Sequence, residues 1–216
     1  MHLGLTGVGK VMSDIQFENH VKEAQRIIES TRFKYGSSDF FSLFIDHWAY
    51  LQTGMYEPHK PMPEDLKESA SQLSHELAEA MKRQPATDVF AIMLGELGAQ
   101  NRGGAYFPTP PHLASLMAQL LGVSNDGPET IYEPCVGTGA IILNKLEQLY
   151  LEGGSEKLKK VRVILEDLDS LMVKCTMIQI FHFLGNKNAA VAELSIKQMD
   201  TLTQREFGLQ YYATAS

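Results

Sequence analysis

Residues 131–140, with the sequence Ile-Tyr-Glu-Pro-Cys-Val-Gly-Thr-Gly-Ala, constrain the fold more than any other stretch of the chain. An apolar strand end runs into Glu133 and Pro134, and Gly137 and Gly139 flank a threonine just before an apolar helix. Glycine permits a sharp turn and lets a ligand approach the backbone without meeting a Cβ atom. The first N–H groups of the helix are free to bind a polar ligand. The acid before the turn favours a ligand with an ammonium group over a phosphate.

Strands and helices alternate around this turn. We predict strands over 130–133, 161–166, 189–196 and 209–213, and helices over 139–152 and 170–184. Such alternation is typical of a parallel, doubly wound sheet. The fold class is therefore α/β, with a partial Rossmann-like sheet that stops at its fourth strand.

The first hundred residues have a different pattern. Apolar residues recur at helical spacing, and a proline-rich segment over 57–63 interrupts them. We predict helices over 39–52, 64–82 and 87–97, and a further helix over 112–121. The chain is thus divided into a helical N-terminal region (1–100) and an incomplete α/β domain (101–216).

Acidic residues follow two further strands of the predicted sheet. Asp167 closes the second strand, and Asp200 follows the third. A carboxylate can accept two hydrogen bonds from a ribose diol or one from the exocyclic amine of adenine. Taken singly, Asp167 and Asp169 could cap a helix and Asp200 could be a turn residue. Acids at three consecutive strand ends favour a ligand site, because the carboxyl ends of such strands carry the ligand.

The segment Glu-Pro-Cys-Val-Gly-Thr-Gly resembles the S-adenosylmethionine (SAM) loop of the methyltransferases that modify adenine N6 in DNA. Residues 104–111 resemble the family's Gly-x-Phe-Tyr-Thr-Pro segment, with Pro108 as an extra residue. Asp88-Val-Phe is similar to the segment before it in modification subunits of type I restriction-modification systems. The resemblance implies SAM as cofactor and these binding residues: Phe107, Thr109, Glu133, Pro134, Gly137, Gly139, Asp167 and Asp200.

The family's catalytic motif is absent. It consists of Asn, Asp or Ser followed by Pro-Pro and an aromatic residue after the fourth strand, and no such tetrapeptide occurs here. Thr109-Pro-Pro-His112 is the nearest match, but it precedes the SAM loop. Residues 207–213 match the fourth strand, and Thr214–Ser216 fall where the motif is expected. We therefore assign no catalytic residue and expect a fragment or a natural short form that needs a partner or a missing segment for methyl transfer.

Charge and composition bear on the partners. The net charge of −7 is unusual for a protein that binds DNA without a partner, since neutralising the phosphates supplies much of the affinity for DNA. We expect DNA contact through a partner subunit in a restriction-modification or mobile-element context. A half sheet would expose an edge strand, which favours a homo-oligomer or a subunit interface.

No apolar run approaches the roughly 20 residues that span a membrane. Two cysteines without a metal-ligand spacing indicate a cytoplasmic protein without a metal site.

Two other functions remain open at this point. The chain could be a non-catalytic interaction protein that mimics a modification subunit, its acidic charge replacing DNA on a basic surface. It could also be a nicotinamide-dependent Rossmann enzyme. That hypothesis ranks last, because the turn lacks the Gly-x-Gly-x-x-Gly spacing that a pyrophosphate requires.

Overall fold

The structure is a computed structural model that describes residues 5–98, 108–120 and 128–215 of the chain. The helices in this part are α1 (Leu5–Ser30), α2 (Ser37–Thr53), α3 (Lys67–Arg83), α4 (Val89–Glu96), α5 (Pro111–Leu120), α6 (Ala140–Leu158) and α7 (Ser170–Lys187). The strands are β1 (Glu129–Glu133), β2 (Val161–Asp167), β3 (Glu193–Asp200) and β4 (Arg205–Thr214).

The predicted helices of the N-terminal region are confirmed to within a few residues. A short 3-10 turn over Glu64–Leu66 leads into α3, and residues 57–63 are non-helical, since proline lacks the N–H that a helix interior requires. Asp88 begins α4, where its carboxylate accepts a hydrogen bond from the backbone N–H of Ala91 at 2.9 Å. None of the described helices is long and apolar enough to cross a membrane.

The sheet has the order β1-β2-β3-β4. β1 pairs with β2, and β2 with β3, in parallel, as predicted. The prediction of a wholly parallel, doubly wound sheet is wrong for β4, which pairs with β3 in antiparallel orientation. Only residues 201–204 link these two strands, whereas a parallel pair needs a crossover of about a dozen residues or more. β3 also begins later than predicted, because Asn188 ends α7 in the left-handed conformation and residues 189–192 form the link.

One hydrophobic core joins the helical region to the sheet. Ile131, Val163 and Leu165, on one face of the sheet, are buried in the same cluster as the apolar residues of α6 and α7. On the other side of α7, the ring of Trp48 in α2 meets His182 edge-on at 5.4 Å and Phe90 in α4 at 5.9 Å between ring centres. The helical region therefore packs against the sheet's helical layer and holds the start of α4 beside the turn that follows β1.

Candidate cofactor-binding site

A cavity of about 740 Å³ lies at the carboxyl ends of β1 and β2. Parallel strands carry their ligand sites at this edge, where loops and helix N-termini converge. The wall comes from the turn after β1, the end of β2, the start of α7, and single residues of more distant segments. The polar and charged lining residues are Asp88, Thr109, Glu133, Thr138, Asp167, Asp169, Ser170 and Gln198.

Two backbone hydrogen bonds hold the turn after β1, one to β2 and one within the turn. The N–H of Val136 donates to the carbonyl of Glu166 at 3.0 Å, and the N–H of Gly139 donates to the carbonyl of Val136 at 3.0 Å. Gly137 and Gly139 have φ angles of 58° and 106°, which side chains rarely adopt. A Cβ atom on Gly139 would also lie 3.4 Å from Oγ1 of Thr176. The expected glycine turn into a helix is confirmed, with both glycines required by the backbone.

Asp167 braces this turn from β2. Its Oδ2 accepts a hydrogen bond from the N–H of Gly137 at 2.8 Å, and its Oδ1 accepts one from the N–H of Asp169 at 2.9 Å. Asp169 is the N-cap of α7, since its Oδ1 accepts from the N–H of Leu171 at 2.8 Å. A carboxylate has about four acceptor positions, so Asp167 retains acceptor capacity toward the cavity.

The cavity brings several acidic side chains together. The carboxylate of Glu133 has no hydrogen bond within the described residues, and its pKa is raised to about 8 by burial, with repulsion from Asp167 and Asp88 adding to it. Burial also raises the pKa of Asp167 and that of Asp88. No lysine, arginine or histidine is present among the described lining residues. The site therefore favours a cationic ligand and disfavours phosphates.

The structure brings together only some of the residues that the sequence predicts for the site. Glu133, Gly137, Asp167 and Thr109 line the cavity. Pro134 and Gly139 shape the turn without lining it: Pro134 is exposed, and its carbonyl accepts a hydrogen bond from Oγ1 of Thr201 at 2.9 Å. Phe107 lies outside the described residues.

Asp200 does not reach the cavity. It is the last residue of β3, and its Oδ1 accepts from the N–H groups of Leu202 at 3.1 Å and Thr203 at 3.2 Å in the turn that follows. Hydrogen bonds from Thr203, with its side chain first, lower the pKa of Asp200. Gln198 lines the cavity instead, because it pairs in register with Asp167 on the neighbouring strand and so shares its face of the sheet.

Sequence reasoning missed Asp88, Gln198 and Thr138 as site residues. Asp88 was singled out only within the segment that is similar to modification subunits. The one sequence signal for Gln198 is its period-two spacing from buried Ile196. Oγ1 of Thr138 donates to Oδ2 of Asp88 at 2.6 Å, a contact between residues far apart in the chain.

Cys135 also lines the cavity. Burial and three nearby carboxylates raise the pKa of its thiol, which disfavours a nucleophilic role at neutral pH.

The family model described as N-6 DNA methylase matches residues 83–213. No curated protein matches the chain in sequence. Among solved structures, the crystal structure of the methyltransferase subunit of the type I restriction-modification system from Streptococcus thermophilus is similar, with 16% identity and a TM-score of 0.36. The similarity covers 79% of this chain and 37% of that one, so the chain spans little more than a third of that subunit.

Proposed function

The chain belongs to the N-6 DNA methylase family, and we propose that its acidic cavity binds SAM. The observation that carries the proposal is Glu133, a largely buried carboxylate with no hydrogen bond among the described residues, in a cavity without cationic side chains. SAM bears an ammonium and a sulfonium group, and a cation next to Glu133 would relieve the repulsion among the carboxylates. A nicotinamide dinucleotide would add phosphate charge to the same cavity, so the geometry disfavours it.

Individual residues fit separate parts of this cofactor. We assign Glu133 to the ammonium group and the remaining acceptor capacity of Asp167 to the ribose hydroxyls. Nε2 of Gln198 donates to the carbonyl of Leu168 at 3.1 Å, so its Oε1 can accept from the adenine amine, the role first predicted for Asp200. Thr109 lines the cavity, and Phe107 is assigned to cofactor binding on the family resemblance alone. When bound, SAM supplies an electrophilic methyl group.

We propose that methyl transfer to adenine in DNA requires a partner or a further segment. The catalytic tetrapeptide is absent from the sequence. Thr214, the first of the residues where it was expected, pairs with Glu193 at the start of β3. It therefore lies at the sheet edge opposite the cavity, since β4 runs antiparallel to β3. The net charge of −7 supports DNA contact through another subunit, within a restriction-modification or mobile-element context.

Calorimetric titration of SAM into the purified chain tests the proposal. We expect micromolar binding that weakens at least about tenfold in Glu133→Gln, because a neutral amide loses the charge-assisted contact. Glu152→Gln is the matched control, since Glu152 is exposed on α6 and its Oε1 only accepts from Gln148 at 3.0 Å. Absence of SAM binding in the unaltered chain would overturn the cofactor assignment.

A second candidate function is a non-catalytic interaction protein that mimics a modification subunit. The observation that favours it is the acidic net charge of −7 without the catalytic motif, which suits competition with DNA for a basic surface. Capture of a purified restriction-modification subunit by this chain, together with no SAM affinity, is the result that supports this function over the first.

A further inference from the structure

A hydrogen-bond network joins the start of α4 to the turn after β1. Oδ2 of Asp88 accepts from Oγ1 of Thr138 at 2.6 Å, while its Oδ1 accepts from Nε2 of Gln179 at 3.0 Å. Nε2 of Gln179 also donates to the carbonyl of Thr138 at 2.6 Å, and its Oε1 accepts from the N–H of Val89 at 2.8 Å. Gln179 is 2% exposed, so its amide bonds within the protein at both ends.

A second side chain of α7, three residues before Gln179, also holds the turn after β1. Thr176 is fully buried, and its Oγ1 donates to the carbonyl of Gly137 at 2.7 Å. Thr176 and Gln179 are three residues apart and so lie on one face of α7. The turn is thus held from β2 by Asp167, from α7 by two side chains, and from the N-terminal region by Asp88.

We propose that Asp88 is a positioning residue of the cofactor site that acts through Thr138. Its hydrogen bond to the Thr138 hydroxyl orients the backbone between Gly137 and Gly139, and so couples the helical region to cofactor binding. The inference rests on the proposed function for its binding consequence. The effect on the turn stands independently, because it concerns the free protein.

Two measurements on Thr138 variants test this role. Thr138→Val removes the hydroxyl at nearly constant volume and leaves the Asp88 cap on α4 in place. We expect SAM affinity to fall about tenfold, which is typical of losing a hydrogen bond to a charged group. In the free protein, hydrogen exchange of the amides of residues 136–139 should be faster than in the unaltered chain. Thr138→Ser restores the hydroxyl and should rescue both properties.

Thr53→Val is the matched control, since Oγ1 of Thr53 also donates to a carbonyl, that of Ala49 at 2.8 Å, at the end of α2 and outside the cavity. Unchanged exchange in Thr138→Val would overturn the positioning role, and so would faster exchange with full SAM affinity. If the unaltered chain does not bind SAM, the proposed function fails, and exchange in the free protein still decides whether Asp88 orients the turn.

Discussion

At the scale of single residues, Glu133 links stability to pH. Its pKa is about 8 in the folded protein, against 4.5 for an ordinary glutamate. Between these values the folded state keeps a proton that the unfolded state has lost. The free energy of unfolding therefore falls as pH rises from about 5 to about 8, by an amount on the order of a few kcal/mol.

Glu133→Gln removes this titration and is expected to make the protein more stable at high pH. Its melting temperature should exceed that of the unaltered chain by several degrees at pH 9, and the two should converge near pH 5. Thermal denaturation of both proteins across this range measures the difference, with Glu152→Gln as control. Parallel curves for the unaltered chain and Glu133→Gln would contradict the prediction. A variant that loses ligand binding would thus gain stability, as expected for a strained functional group.

At the scale of elements, β4 depends on the side chain of Tyr56, which directly precedes the proline-rich segment. Tyr56 has a left-handed φ of 61°, and its hydroxyl donates to the carbonyl of Gln210 and accepts from the N–H of the same residue, both at 2.8 Å. Its ring also meets that of Tyr211 edge-on at 5.5 Å. Within the described residues β4 pairs only with β3, so these bonds satisfy backbone groups that β3 does not.

Tyr56→Phe is therefore expected to loosen β4 and to promote association of chains through that strand. The loss of two backbone hydrogen bonds at a partly exposed site should cost about 1–2 kcal/mol of unfolding free energy. Denaturant titration measures the cost, and sedimentation velocity at several concentrations measures the association. Tyr212→Phe is the control, because Tyr212 is exposed on the same strand and its hydroxyl makes no hydrogen bond in the described part. Identical behaviour of the two variants would show that Tyr56 does not protect β4.

At the scale of the whole molecule, the helical region and the sheet share one core. Phe90 in α4 is fully buried and meets both Phe41 and Trp48 edge-on, at 6.0 and 5.9 Å between ring centres. Cys175 in α7 is fully buried in the same cluster as Val163. We therefore expect both regions to unfold in one cooperative transition.

Two probes can report the regions separately. Trp48 is the single tryptophan of the chain and reports the helical region, while Cys175 reports the sheet region once exposed Cys135 is replaced by serine. Fluorescence and thiol labelling across a urea titration should give one midpoint. Phe90→Ala should lower both midpoints equally, at a cost of about 3–5 kcal/mol. Two separate midpoints would instead indicate independently folding units.

Local chemistry explains what could be predicted from the sequence. The backbone requirements of neighbouring residues set the turn at Gly137 and Gly139, the helix that follows it, the N-cap Asp169 and the break at residues 57–63. The family followed from the same local motif, Glu-Pro-Cys-Val-Gly-Thr-Gly, which also placed Glu133 at the end of its strand. The apolar pattern of the next strand placed Asp167 at the adjacent strand end. Such features can be read from the chain because a glycine, a proline or a capping acid acts within a few positions of itself.

Packing between distant segments decided the rest. Asp88 and Thr138 meet only because α4 and the turn both pack on α7, and periodicity carries no information about that contact. Gln198 lines the cavity and Asp200 does not, because Gln198 pairs with Asp167 at the end of β2 whereas Asp200 lies beyond that end. The orientation of β4 followed from a link too short for a crossover. These three features depend on contacts between residues far apart in the chain. Only the tertiary structure therefore shows them.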